Sequence, residues 1–170
     1  LKSNSIIGTS SYRREYQLKQ IRKDLNYKII RGNVDTRIKK LNDGLYDAII
    51  LSKAGIDALN LNEHITQEFS IEEIIPSAGQ GVVAVQCRNN DEEIKAILKK
   101  INHKETKICC TAERELLKTL EGDCNTPIGA ISSIKKNFIT LSVELFSVDG
   151  KKRYFIKDSK GLNLAKELGN

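Results

Sequence analysis

Apolar positions change their period twice along this chain. Through the first 59 residues, short apolar runs alternate with stretches in which apolar residues recur every third or fourth position. Ser5–Gly8 reads as a strand, and Tyr12–Leu25 as a helix with Leu18, Ile21 and Leu25 on one face. Tyr27–Ile30 and Tyr46–Leu51 repeat the strand signal, and Val34–Leu41 and Ser52–Leu59 repeat the helical one. Ala48, Ile49, Ile50 and Leu51 form an unbroken apolar run, as expected of a buried parallel strand. Three strand–helix alternations predict a parallel α/β layer with ligands at the carboxyl ends of its strands.

Residues 60–76 have no clear period beyond a short strand expected at Ile71–Ile75. Pro76-Ser77-Ala78-Gly79-Gln80-Gly81 then reads as a turn and hinge that opens the β-prone run Val82–Arg88. Two amphipathic helices follow, Asp91–Ile101 and His103–Leu120. Beyond residue 124 the period becomes two. Phe138–Val148 alternates Ile139, Leu141, Val143 and Leu145 with polar or aromatic positions, and Asp149-Gly150 is a hairpin signal. Lys152–Lys157 is the returning strand, Ile128–Ile134 a third, and Leu162–Leu168 a helix. This half predicts a small α+β domain with a three-stranded antiparallel sheet. Cys87, Cys109 and Cys110 are expected to pack in cores, and His103 to cap a helix or lie on the surface.

Composition narrows the partners. The 170 residues are 39% apolar and 29% charged, a globular balance with room for one ordinary domain or two small ones. No apolar run approaches the roughly 20 residues that cross a bilayer, and no secretory leader is visible, so neither a membrane nor a secreted role is expected. The absence of methionine leads us to expect a piece of a longer protein. A net charge of +6 favours anionic partners. The basic residues are dispersed and aromatics make up 5%, so a nucleic-acid partner ranks last and none is expected. With two histidines and no C-x-x-C pair, no metal site is expected.

Candidate chemistry concentrates at three points. Gly8-Thr9-Ser10-Ser11 joins the first strand to its helix, with Arg13 and Arg14 in the first turn. Alone, this favours an N-cap followed by a solvated basic face. The arrangement recurs at Arg31-Gly32-Asn33, with Arg37 in the helix behind it. Two helix N-termini flanked by arginines point to a shared anionic ligand. The third point is Leu120-Glu121-Gly122-Asp123-Cys124-Asn125-Thr126-Pro127, a polar turn carrying one cysteine between helix and strand. Its residues fit either an inert thiol or an attachment point.

The ordered set of segments resembles the porphobilinogen deaminase (hydroxymethylbilane synthase) family of tetrapyrrole and haem biosynthesis. The matching pieces are Gly8–Arg14, Arg31–Val34 with Arg37, Tyr46–Leu51 with Ala54-Gly55, and Pro76 with Gly79–Gly81. Cys87-Arg88, Thr111–Arg114 and Glu121–Cys124 with Pro127–Gly129 complete it. The resemblance implies a three-domain transferase that adds four porphobilinogen units in turn, with loss of ammonia, to a dipyrromethane primer held by a thioether on Cys124. Residues 1–75 would be the binding-protein-like second domain. Residues 76–101 would be the hinge and a segment returning to the first domain, and 102–170 the cofactor-tethering domain. Ser11, Arg13, Arg14, Arg31, Gly32 and Asn33 would hold the cofactor, and Thr9, Ser10 and Arg37 the substrate. Glu121 and Asp123 would discourage a standing thiolate at Cys124, which suits a thiol alkylated once and kept as a tether.

The family's general-acid aspartate belongs to the first domain, outside this chain, so the chain alone is expected to be inactive unless a companion chain supplies that part. Asp57-Ala58 departs from the basic pair common at that place in the family. The resemblance implies a cytoplasmic or organellar protein. The competing reading is a non-catalytic, binding-protein-like anion-binding regulatory module, which leaves the Cys124 turn without a purpose.

Overall fold

The computed structural model describes residues 1–123 and 125–170. The alternating first segment forms a parallel sheet of β1 (Ile6–Gly8), β2 (Asn26–Lys28) and β3 (Ala48–Ile49) in the order β2-β1-β3. Helices α1 (Tyr12–Ile21), α2 (Val34–Asn42) and α3 (Lys53–Ala58) each follow a strand. The strands are shorter than the apolar runs that predict them. Central β1 gives way after Gly8 to the turn at Thr9, so its neighbours have little to pair with. Beyond β3 the pairing persists only as isolated bonds, with Asp47 N–H donating to Ile6 O at 2.9 Å and Ile50 N–H to Gly8 O at 3.2 Å. Helix α1 stops short of Leu25 because Arg22 leaves the helical path and forks onto Asp24, with two contacts of 2.7 Å.

The second half follows its period closely. Helix α4 (Glu92–Ile101) precedes α5 (Lys104–Thr119), whose first turn is capped by His103 Nδ1 accepting from Thr106 N–H. Strands β4 (Ile128–Lys135), β5 (Phe138–Phe146) and β6 (Arg153–Gly161) form an antiparallel sheet in that order. Ile128, Ala130, Leu141 and Val143 pack against Leu116 and Leu117 of α5, while Ile139 meets Ala112 and Ala165. Cys109 packs at the edge of the second cluster, as its helical position predicts. The expected terminal helix is divided into a 3-10 turn, Leu162–Leu164, and α6 (Ala165–Gly169). The chain is thus a mixed α/β protein with one parallel and one antiparallel sheet.

Four expectations are corrected between residues 71 and 101. Ile71–Ile75 is a turn leading to a buried Ile75, because the Ile75 peptide groups bond to side chains and are not available to a sheet. Val82–Arg88 pairs with no strand among the described residues, and Val83 is 90% exposed, so the run is an uncovered apolar edge. Cys87, within that run, is partly exposed and belongs to no core cluster. Helix α4 likewise buries no residue and leaves Ile94, Ile97 and Ile101 exposed.

The two sheets are joined through Ile75. Gln17 Oε1 accepts from Ile75 N–H at 2.6 Å, and Gln17 Nε2 donates to Ile75 O at 3.0 Å. Arg13 Nη1 donates to the same carbonyl at 2.6 Å. On the other side, Ala130 N–H donates to Pro76 O at 2.9 Å. Gly129 lies so close that an added Cβ would sit 2.9 Å from Ile75 O and 3.0 Å from Ile75 Cβ. Tyr16 adds a bond from its hydroxyl to Val148 O at 2.8 Å and a tilted ring contact with Phe146. Gly129→Ala is therefore expected to destabilise the protein by about 1–3 kcal/mol, the usual cost of overpacking a close contact, measured as a lowered denaturation midpoint.

Candidate anion-binding cleft

The carboxyl ends of β1, β2 and β3 lie along one edge of the parallel sheet, and a cleft of about 380 Å³ opens there. Thr9, Ser10, Ser11, Arg13 and Arg14 line it from the β1–α1 turn, and Arg37 lines it from α2. Ser77, Ala78, Gly79 and Gln80 of the crossover turn complete the lining.

Local hydrogen bonding fixes the β1–α1 turn. Ser11 caps α1, its side chain accepting from Arg14 N–H at 3.4 Å. Thr9, buried, accepts from Ser11 N–H at 3.2 Å, and the Ser10 hydroxyl donates to Ile30 O in the segment just beyond β2. The turn is thereby tied both to its own helix and to the neighbouring strand.

The arginines divide by role. Arg13 is buried, with its guanidinium committed to Ile75 O and in longer contact with Gln80 Oε1 at 3.4 Å. Burial first, then the neighbouring Arg14 charge, lowers its pKa to about 10, so it stays charged at neutral pH. Arg14 donates to Ile50 O at 3.1 Å, and burial together with the Arg37 charge pulls its pKa down. Arg37 is positioned by its Nε donating to Gly32 O at 2.7 Å. An anion placed between Arg14 and Arg37 would relieve their mutual repulsion, so the cleft is of a chemistry suited to negative charge.

Arg31, Gly32 and Asn33 fall outside the cleft lining and build the turn that carries Arg37. Asn33 stands at the α2 N-cap with no side-chain cap bond, and Arg31 is exposed. Gly32 has φ +121°, and a Cβ there would meet Thr36 side-chain carbons at 2.8–2.9 Å, so the turn requires glycine. Asp57 pairs with Lys53 at 2.9 Å on the surface.

Gln17, Ser77, Gln80 and Glu113 are not among the site residues expected from the sequence. The signal of Gln17 and Glu113 is weak because each acts through backbone groups distant in sequence. Glu113 is buried and accepts from Gly79 N–H and Ser132 N–H, both at 2.7 Å. A second groove of about 290 Å³ between α5 and β4 is lined by Cys109, Cys110 and His103, with no arginine or lysine among its described lining residues. Burial and the Glu113 carboxylate push both thiols up, which keeps them protonated at neutral pH.

Cys124 lies outside the described residues, but its flanks are ordered around Asp123. Asp123 Oδ1 accepts from Asn125 N–H at 2.8 Å, from Thr126 N–H at 2.9 Å and from the Thr126 hydroxyl at 3.0 Å. Upstream, Gly122 N–H returns to Leu117 O at 2.9 Å, tying the turn to the end of α5.

A parallel α/β layer with an arginine-lined cleft, joined to an α+β unit, defines a two-sheet α/β protein with a cleft suited to anionic groups. The family model for the porphobilinogen deaminase dipyromethane cofactor binding domain matches residues 1–96, and that for the porphobilinogen deaminase C-terminal domain matches 107–170. A porphobilinogen deaminase of Coxiella burnetii (strain RSA 493 / Nine Mile phase I) is 44% identical over 151 residues, covering 89% of this chain and 49% of the relative. One from Chloroherpeton thalassium is 41% identical over 152 residues, covering 89% and 48%. The chain belongs to the porphobilinogen deaminase family. It spans about half the length of the curated relatives it matches.

The Asp123 bonds predict a pH response with a definite sign. They hold the carboxyl below its ordinary value of 3.8, so their support is complete above that value and is lost as pH falls through the lowered one. Amide exchange at Asn125 and Thr126, corrected for intrinsic rates, is expected to accelerate several-fold on such acidification. At neutral pH, Asp123→Ala should reproduce the loss, and Asp123→Asn, which keeps an acceptor oxygen, should not.

Proposed function

We propose that this chain is part of a transferase that condenses four porphobilinogen units into hydroxymethylbilane, releasing ammonia at each addition, with Cys124 as the tether of a dipyrromethane primer. The observation that carries the reading is the convergence of Arg14 and Arg37 on one cleft with hydroxyls and a helix N-terminus. Each pyrrole of such a chain bears an acetate and a propionate, so the ligand is a polyanion, and the donor set is of matching chemistry. When bound, the dipyrromethane supplies the nucleophilic pyrrole carbon to which the first unit is joined.

The residues of this chain bind and orient. Ser11, Arg13, Arg14, Arg31, Gly32 and Asn33 are assigned to the cofactor, and Thr9, Ser10 and Arg37 to the incoming substrate. Within that set, Arg14 and Arg37 are suited to direct carboxylate contact. The bonds already made by Arg13 suit it to hold the cleft wall. Gly32 and Asn33 serve through the turn that presents Arg37. The general acid is assigned to an aspartate of the first domain, outside residues 1–170.

We read residues 1–75 as the binding-protein-like second domain, 76–101 as the hinge and return to the first, and 102–170 as the tethering domain. The exposed apolar faces of Val82–Val85 and α4 support the middle assignment, since they are suited to cover by another domain.

Mass spectrometry of the full-length protein tests the reading. A covalent increment of two pyrrole units on Cys124, removed by Cys124→Ser together with porphobilinogen consumption, is the expected result. An unmodified cysteine in an active preparation would overturn the tether, and an unmodified cysteine in a preparation that consumes no porphobilinogen would favour the non-catalytic anion-binding module. Arg37→Ala is expected to raise KM for porphobilinogen about ten-fold or more, as for loss of one charge-assisted contact worth ~1.5–3 kcal/mol, with the Cys124 adduct retained.

A further inference from the structure

We infer that Glu113 is a positioning residue that sets the crossover wall of the anion cleft against the helix leading to the cysteine turn. The inference rests on the proposed function and adds to it a residue that touches neither ligand. Glu113 lies in the third turn of α5 and is 7% exposed. Its Oε2 accepts from Gly79 N–H and its Oε1 from Ser132 N–H, each at 2.7 Å. Both partners are donors, so both oxygens must accept. A carboxylate does this and an amide cannot, because the NH2 of glutamine would face a backbone N–H. Burying the charge is costly unless its oxygens are hydrogen-bonded, and here both are.

The two bonds reach different structures. Ser132 belongs to β4, so that bond fixes α5 on its own sheet. Gly79 belongs to the turn whose residues 77–80 line the cleft beside Arg14 and Arg37. That turn is otherwise held from the α1 side, through Arg13 on Ile75 O and Gln80. Glu113 is its hold from the α5 side. Helix α5 runs on to Leu117, whose carbonyl accepts from Gly122 N–H at the entry to the cysteine turn. One helix therefore governs both the wall that meets substrate carboxylates and the start of the loop that carries the tether. Loss of the Gly79 bond should loosen the wall without removing any cation from the cleft.

The test uses the full-length holoenzyme and Glu113→Gln, with amide exchange over residues 78–81 and steady-state kinetics read on the same preparation. The expected result is exchange at least ten-fold faster at that turn. KM for porphobilinogen should rise at least five-fold, kcat should stay within two-fold, and the Cys124 adduct should remain complete. Unchanged exchange at the turn, unchanged KM, or a fall in thermal stability and kcat without a KM effect overturns the inference. If Glu113→Gln does not fold, the same readings are taken on Glu113→Asp, which keeps two acceptor oxygens on a shorter arm. Loss of fold in both assigns Glu113 a purely structural role and overturns it as well. A wild-type protein that consumes no porphobilinogen marks failure of the proposed function and removes the basis of the inference. An active wild type with an unaltered variant marks failure of the inference alone.

Discussion

The peptide groups of Ile75 are the point on which the two halves of the molecule depend. A buried backbone N–H and C=O must find partners, and a strand would ordinarily supply them. Here Gln17 satisfies both, with Arg13 adding a charged donor to the carbonyl. Removing Gln17 would leave a buried donor unmatched, at a cost of about 1–3 kcal/mol. The same bonds hold the crossover against α1 while Gly129 and Ala130 hold it against β4. The parallel and antiparallel sheets meet through this short stretch.

The cleft follows from that clamp. Arg13 uses its charge to hold the crossover, which leaves Arg14 and Arg37 as the cations suited to a ligand. Their mutual repulsion is tolerated because each is also held by a carbonyl, Ile50 O for Arg14 and Gly32 O for Arg37. The two cations are thus oriented by the protein's own carbonyls, which lowers the ordering cost of binding an anion. Glu113 extends the same logic from the other side by fixing Gly79 with a carboxylate that accepts from two backbone amides.

Legibility from sequence differs sharply between the halves. The period-two pattern of β5 and the Asp149-Gly150 turn correspond to the observed register, because each strand has its partner adjacent in the chain. Val82–Arg88 carries an equally strong strand signal and forms no ladder among the described residues. Propensity there describes what the backbone can do, and pairing requires a neighbour. Ile71–Ile75 fails for the opposite reason, since its terminal residue found side-chain partners instead of a strand.

The sequence by itself determined the strand–helix order of the first 59 residues, the antiparallel meander of the second half, the two arginine-flanked helix starts and the family to which the chain belongs. These are local facts, encoded in residues a few positions apart. Tertiary structure decided which of the two cleft-lining arginines is consumed by the crossover, because Arg13 and Arg14 leave α1 in different directions. It also decided the partners of Gln17 and Glu113, which bond to backbone groups 58 and 34 residues away in the chain. Any residue can supply a backbone amide or carbonyl, so contacts of this kind leave no mark in the sequence of the partner.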